Sequence, residues 1–252
     1  MPRTQQAPNG AARVVRTQAD PVAQWLIVAI IFLVVVALFG VIYLLVAGVV
    51  VPSTPRTLVE SQLALLRNAA ATEPGSGSAR NAYILALEAS GQQDAAMSEY
   101  TKALKQVSGG EQTQVYAAGV TLLFDQKDYK GVIALAKQAI GADDAAVNAV
   151  IAENAKKGIT VTSAQFDHAA RISILLTAAR ASGATADWKT AVQRLTEGLS
   201  DDPQAADLLT FRASAYSHLG DREKAIADYK QALTFIPDYA PALYGLKQLQ
   251  GK

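Results

Sequence analysis

The chain contains no cysteine. Disulfides, thiolate nucleophiles and cysteine metal sites are therefore excluded, while every redox compartment stays open. Histidine is almost as scarce. His168 and His218 are the only two, 50 residues apart, and neither has a His, Asp or Glu partner at metal-ligand spacing. Both read as surface or groove residues. A phosphate-binding glycine loop is also missing, because Gly75-Ser76-Gly77 has no lysine after it and reads as a linker. No nucleophile–base grouping is found, so the expectation is a protein that is not an enzyme, with no catalytic residue, cofactor or metal. The net charge is only +1, and no basic run is interleaved with aromatics, which removes the case for nucleic acid. Aromatics make up 7% of the 252 residues, although half are hydrophobic. Alanine is abundant, as suits helices in close contact.

The apolar residues are unevenly spread. Residues 25–51 carry no charge and are mostly Ile, Val and Leu, with Trp25 at one edge as an interfacial anchor would be. A helix of that length is about 40 Å long against a hydrocarbon core of about 30 Å, so it can span with tilt. The run is too long for a signal peptide, and Val49-Val50-Val51-Pro52 is a poor cleavage site. A buried soluble helix would interrupt its apolar run sooner, and no ionisable residue marks an intramembrane site. The reading is a single-pass anchor in contact with lipid. Arg3, Arg13 and Arg16 precede it, whereas Arg56 after it is balanced by Glu60. This puts the N-terminus in the cytoplasm and the remainder outside it, at a cell membrane. Residues 1–24 form a cytoplasmic tail, read as disordered from its polar composition. Residues 52–76 form a linker and an N-terminal helix with Leu58, Ser61, Gln62, Leu65, Leu66 and Ala69 at helical spacing.

From residue 77 onward the sequence repeats. Ala191, Leu195 and Pro203 precede Ala225, Tyr229 and Pro237, each by 34 residues. The segment GQQDAAMSEYTKAL, starting at Gly91, aligns without gaps on GDREKAIADYKQAL, starting at Gly220. Two further copies start at Lys127 and Ala186. That period predicts stacked helical hairpins rather than a closed globule. The second and third copies are 59 residues apart (Val132 to Ala191). The excess predicts an extra helix at 143–158, capped by Asp143 or Asp144 and ended by Gly158. The Asp143-Asp144 and Asp201-Asp202 pairs read as helix starts, and Thr162-Ser163 as the start of a long helix. Residues 239–250 predict a closing helix with Lys247, Gln248 and Gln250 facing water.

These residues resemble the tetratricopeptide repeat family. Ala213, Tyr216, Gly220, Ala225, Tyr229, Ala232 and Pro237 fit its pattern best, while Ile84, Val120 and Val132 occupy positions where it has small residues. The resemblance implies a solenoid of helix pairs over 77–252, which with the transmembrane helix read from the apolar run at 25–51 makes an all-α chain.

In that family the first helix of each pair lines a groove that binds peptides or partner helices. Carried onto this chain, the lining is Asn81, Leu85 and Glu88, then Ala117, Thr121 and Phe124, then Leu176, Thr177 and Arg180. Thr210, Phe211, Ser214 and His218 follow, with Tyr244 at the end. About half are expected to be packing contacts only. Arg180 alone cannot clamp a terminal carboxylate as some family members do, so the resemblance points to a neutral or partly apolar protein segment. The implied function is a membrane-anchored scaffold or adaptor that recruits or holds partner proteins at the extracytoplasmic face. Three readings compete with it. The chain could be a fixed structural or assembly subunit of a membrane complex (a translocon accessory or envelope assembly), an enzyme accessory, or an organellar receptor with its domain in the cytosol.

Overall fold

The computed structural model describes residues 57–251, which form a compact unit of their own. Among these residues there are ten α-helices, one 3-10 turn and no strand. The helices are α1 (Leu58–Thr72), α2 (Gly77–Ala89), α3 (Gln93–Gln106), α4 (Glu111–Asp125), α5 (Tyr129–Lys156), α6 (Ala169–Ala184), α7 (Trp188–Asp201), α8 (Ala206–His218), α9 (Arg222–Phe235) and α10 (Ala240–Gln250). The expected anchor at 25–51, the tail before it and the linker up to residue 56 lie outside the described residues. Among those described, no helix is long and apolar enough to cross a membrane.

The helices pair in sequence as α2–α3, α4–α5, α6–α7 and α8–α9, and each pair packs on the next. Alanine sets the spacing. Ala96, Ala103, Ala191, Ala225 and Ala232 are fully buried between helices, where a larger side chain would hold the axes apart. Ile84, Val120 and Val132 are just as buried at positions where the repeat pattern has small residues. The interior forms three clusters along the chain rather than one core. One is centred on Ile84 and Tyr100, the next on Val120 and Ile174, and the last on Leu195 and Leu209.

The turn inside each pair has one geometry. Gly91, Lys127, Ala186 and Gly220 occupy the same place in successive repeats, and all four have positive φ (61° to 82°). In each turn the following N–H reaches back to close the first helix: Gln92 to Leu87, Asp128 to Leu123, Asp187 to Ser182 and Asp221 to Tyr216, all at 2.8–2.9 Å. This is the left-handed helix ending that glycine makes easily. Asp128 and Asp187 then cap the second helix by accepting from Gly131 N and Thr190 N.

The interruption differs from expectation. There is no separate helix at 143–158. That segment is the second half of α5, which runs unbroken for 28 residues, about 42 Å against about 21 Å for a 14-residue second helix. Gly141 is the only weak helix former at the junction, and one glycine in an alanine-rich run does not stop a helix. Asp143 caps nothing. It is buried, accepts from the Thr113 hydroxyl at 2.7 Å, and faces Arg171. Asp201 and Asp202 likewise sit at the end of α7, not at a helix start. Thr162-Ser163 opens only the short turn Ser163–Gln165, and α6 begins at Ala169. The closing helix α10 forms as expected, with Lys247, Gln248 and Gln250 exposed.

Arg171 braces this irregular region. Its guanidinium bonds Asp144 at 2.7 Å, Glu197 at 2.8 Å and Asp201 at 2.9 Å, with Asp143 at 3.4 Å. One buried cation thus ties α6 to both α5 and α7.

Candidate partner-binding groove

The first helices α2, α4, α6, α8 and α10 carry all fourteen groove candidates, with spacings of three or four residues on α2 and α4 and adjacent pairs at Leu176-Thr177 and Thr210-Phe211 on α6 and α8. Six of them meet around one pocket of about 460 Å³: Arg180 from α6, Thr210, Phe211, Ser214 and His218 from α8, and Tyr244 from α10. Tyr244 is 68% exposed, an aromatic face open to solvent.

Packing decides how this pocket is shaped. Gly245 thins its wall, and Gly183 leaves room for Trp188 and Phe211 behind it. A Cβ on Gly245 would lie 2.2 Å from the Tyr229 ring, and one on Gly183 would lie 2.7 Å from Trp188 and 3.5 Å from Phe211. Trp188 in turn stacks on His218, with ring centroids 3.9 Å apart and planes 2° from parallel. The imidazole is therefore held by α7 although it belongs to α8. Burial raises the Tyr229 phenol above its ordinary range, and its hydrogen bond with Ser214 partly opposes this. Behind the pocket, Arg212 pairs with Asp228 and approaches the Tyr216 ring.

The other candidates are dispersed. Ala117 is buried in the middle cluster and offers no side chain to a ligand, a correction to its expected place in the lining. Spacing alone could not tell which small residues face inward. Leu85 and Leu176 pack against the first and last clusters. The hydroxyls of Thr121 and Thr177 bond their own helices, at Ala117 O and Ser173 O. Phe124 tilts against Tyr129 at 5.6 Å. Asn81 Oδ1 and Thr210 Oγ1 are buried without a hydrogen-bond partner. Glu88 sits beside Asp125. Burial first, then the hydrogen bond and charge of Asp125, raise its pKa from 4.5 to about 7.

Several lining residues escaped the sequence reading, among them Asp207, Tyr239, Pro241 and Gln248. The repeat offset could have located two of them, because Asp207 and Pro241 are 34 residues apart at the start of consecutive first helices. Among the described residues, no group of His, Cys, Asp or Glu has the arrangement of a metal site.

The pocket thus lies on first helices of a regular array, and its central segment can be compared with known repeats. Residues 206–239 match the tetratricopeptide repeat model. The chain carries a tetratricopeptide repeat. That repeat is α8 and α9 with the turns around them, the part holding most of the pocket. Among solved structures, Pseudomonas aeruginosa pilF is similar at 15% identity and a TM-score of 0.55, over 84% of this chain and 80% of that one. The tetratricopeptide protein YrrB aligns at 16% identity and a TM-score of 0.49, over 75% of this chain and 84% of its own. MamA aligns at 11% identity and a TM-score of 0.49, over 73% of this chain and 97% of its own. At such identity, the pilF match shows the fold alone: a tetratricopeptide-type solenoid. No curated protein matches the chain.

Proposed function

We propose that this protein is a non-enzymatic scaffold or adaptor, tethered to a membrane through residues 25–51, whose tetratricopeptide array holds a partner protein at the extracytoplasmic face. The single observation that carries the reading is the pocket between α6, α8 and α10. It presents Phe211 and Tyr244 beside Thr210, Ser214 and His218, with the cation of Arg180 and the carboxylate of Asp207 at its margin. Aromatic faces bordered by small polar groups suit a neutral or partly apolar protein segment, with the aromatics as anchors. One arginine set against one aspartate gives no clamp for a terminal carboxylate.

The test is capture from solubilised membranes by the full chain in mild detergent. Phe211→Ala with Tyr244→Ala should abolish recovery of the partner, and unchanged recovery would refute the groove. A photo-crosslinker at Phe124 or Phe211 separates the modes of use. Many adducts mark transient clients, and one stoichiometric adduct marks a fixed assembly subunit. Protease added to intact and then opened cells tests the tether. Cleavage of residues 52–252 only after access from outside the cytoplasm is expected.

A further inference from the structure

The two end helices of the array are of opposite type. α10 has the register of a first helix: it repeats α8 at an offset of 34, with Ala240 at the place of Ala206 and Ala242, buried, at the place of Leu208. α1 has the register of a second helix. Residues Gln62, Leu66, Ala69 and Pro74 precede Ala96, Tyr100, Ala103 and Ser108 by 34, and Pro74 holds the place that Pro237 holds after α9. So α1 is a second helix without a first, and α10 is a first helix without a second, among the described residues.

Both helices show the uncovered face. Leu209 is 1% exposed, whereas Leu243 at the same place in α10 is 46% exposed. Leu65 on α1 is 69% exposed. The equivalents of Leu65 in two complete pairs are acidic and held by an arginine of the first helix, Glu99 by Arg80 and Asp228 by Arg212. The places of Arg80 and Arg212 in α10 are taken by Leu243 and Leu246. An ion pair inside the array is thus replaced by leucine on both of its sides, one at each end of the molecule. Charged and apolar versions of the same contact are each self-consistent, and a mixture of them would bury an unpaired charge.

We propose that copies of this chain associate head to tail, α10 of one docking on α1 of the next, so that the two half-repeats complete one 34-residue unit. Such a contact uses two different surfaces and extends to chains or rings of copies. It uses the Leu243 position of α10, whereas the groove uses Tyr244 of the same helix.

Because cysteine is absent, single thiols report the contact directly. Full chains carrying Leu65→Cys and Leu243→Cys, mixed in mild detergent and treated with a short bifunctional thiol reagent, should give a crosslinked dimer. Each variant alone should give none, and a chain with both thiols should give a ladder. A dimer from Leu243→Cys alone would mean a symmetric contact and overturn the proposal, as would no product from the mixture. Leu65→Glu and Leu243→Arg should each weaken association at least tenfold, and mixing those two variants should restore it by remaking the Arg80–Glu99 type of pair. Association that either variant leaves unchanged refutes it. Both side chains face solvent, so unaltered helical circular dichroism confirms that the variants fold.

Discussion

Arg212 on α8 and Asp228 on α9 are joined by two parallel hydrogen bonds, Nε to Oδ2 at 2.7 Å and Nη2 to Oδ1 at 2.9 Å. The bond to Asp228 raises the guanidinium pKa above its ordinary value, against the opposing effect of burial. Removing one partner strands a charge between two helices. Asp228→Leu should destabilise the array by about 3 kcal/mol. The double variant Arg212→Met with Asp228→Leu should return to within about 1 kcal/mol of the parent, since an apolar pair of similar volume needs no compensation. Chemical denaturation followed by circular dichroism measures both.

Arg171 is the more sensitive position. Four carboxylates from α5 and α7 converge on it; burial, the largest single influence, lowers its pKa, but Asp144, Asp201 and Glu197 together outweigh it and raise the pKa above its ordinary value. Arg171→Met leaves these acids facing one another with Asp143 buried among them, and a loss of about 4 kcal/mol is expected. Asp144→Asn should change stability by no more than about 1 kcal/mol, because that side chain is mostly exposed. If the two variants unfold alike, the cluster is not the brace described here.

Two helix glycines should respond with opposite sign to the same change. A Cβ on Gly119 would sit 2.4 Å from the ring of Tyr100, a buried phenol whose pKa burial pushes up to about 12. Gly119→Ala should therefore cost about 1–3 kcal/mol through forced repacking. Gly141 in α5 has nothing within 4 Å of its Cβ position. Gly141→Ala should stabilise by about 0.5–1 kcal/mol, by narrowing the freedom of the unfolded chain. Thermal unfolding of the two variants side by side gives the comparison.

The Glu88–Asp125 pair predicts a pH dependence. With its pKa raised to about 7 in the folded chain, against an ordinary 4.5, Glu88 binds its proton more tightly when folded. Any stabilisation from that proton is present below about pH 4.5 and fades as pH rises to about 7. Glu88→Gln removes the titrating group. It should gain about 1 kcal/mol over the parent at pH 8, after allowance for solvent screening, and nothing at pH 4. Stability curves of parent and variant that stay parallel from pH 4 to 8 would refute this.

How much was legible in the sequence varied by residue. The spacing of Ala225, Tyr229, Ala232 and Pro237 located α9 and the turn beyond it, because close packing leaves a local chemical record at each position. The fate of Asp143 was not legible. An aspartate pair after Gly141 looks like a helix start, and its actual partners, Thr113 and Arg171, lie 30 and 28 residues away in sequence. The groove divided in the same way. Helical offset placed Phe211 and His218 on one side of α8, but neither the burial of Ala117 nor the coupling of Glu88 to Asp125 follows from any single helix. Those depend on which helix ends meet in space.

The recurring turn has a consequence for how this molecule can vary in length. Each turn closes on its own backbone bonds and asks nothing of the neighbouring repeats, even where Lys127 or Ala186 must adopt the left-handed conformation. Excising residues 206–239 would set Ala240 directly after Ala205 and bring α10 onto α7 in the seat of α8, removing the Gly220 hinge with its repeat and leaving the other three intact. Loss or gain of 34 residues therefore preserves the other hinges, and the longer step from Lys127 to Ala186 preserves them too, because α5 and the segment after it take up the extra chain.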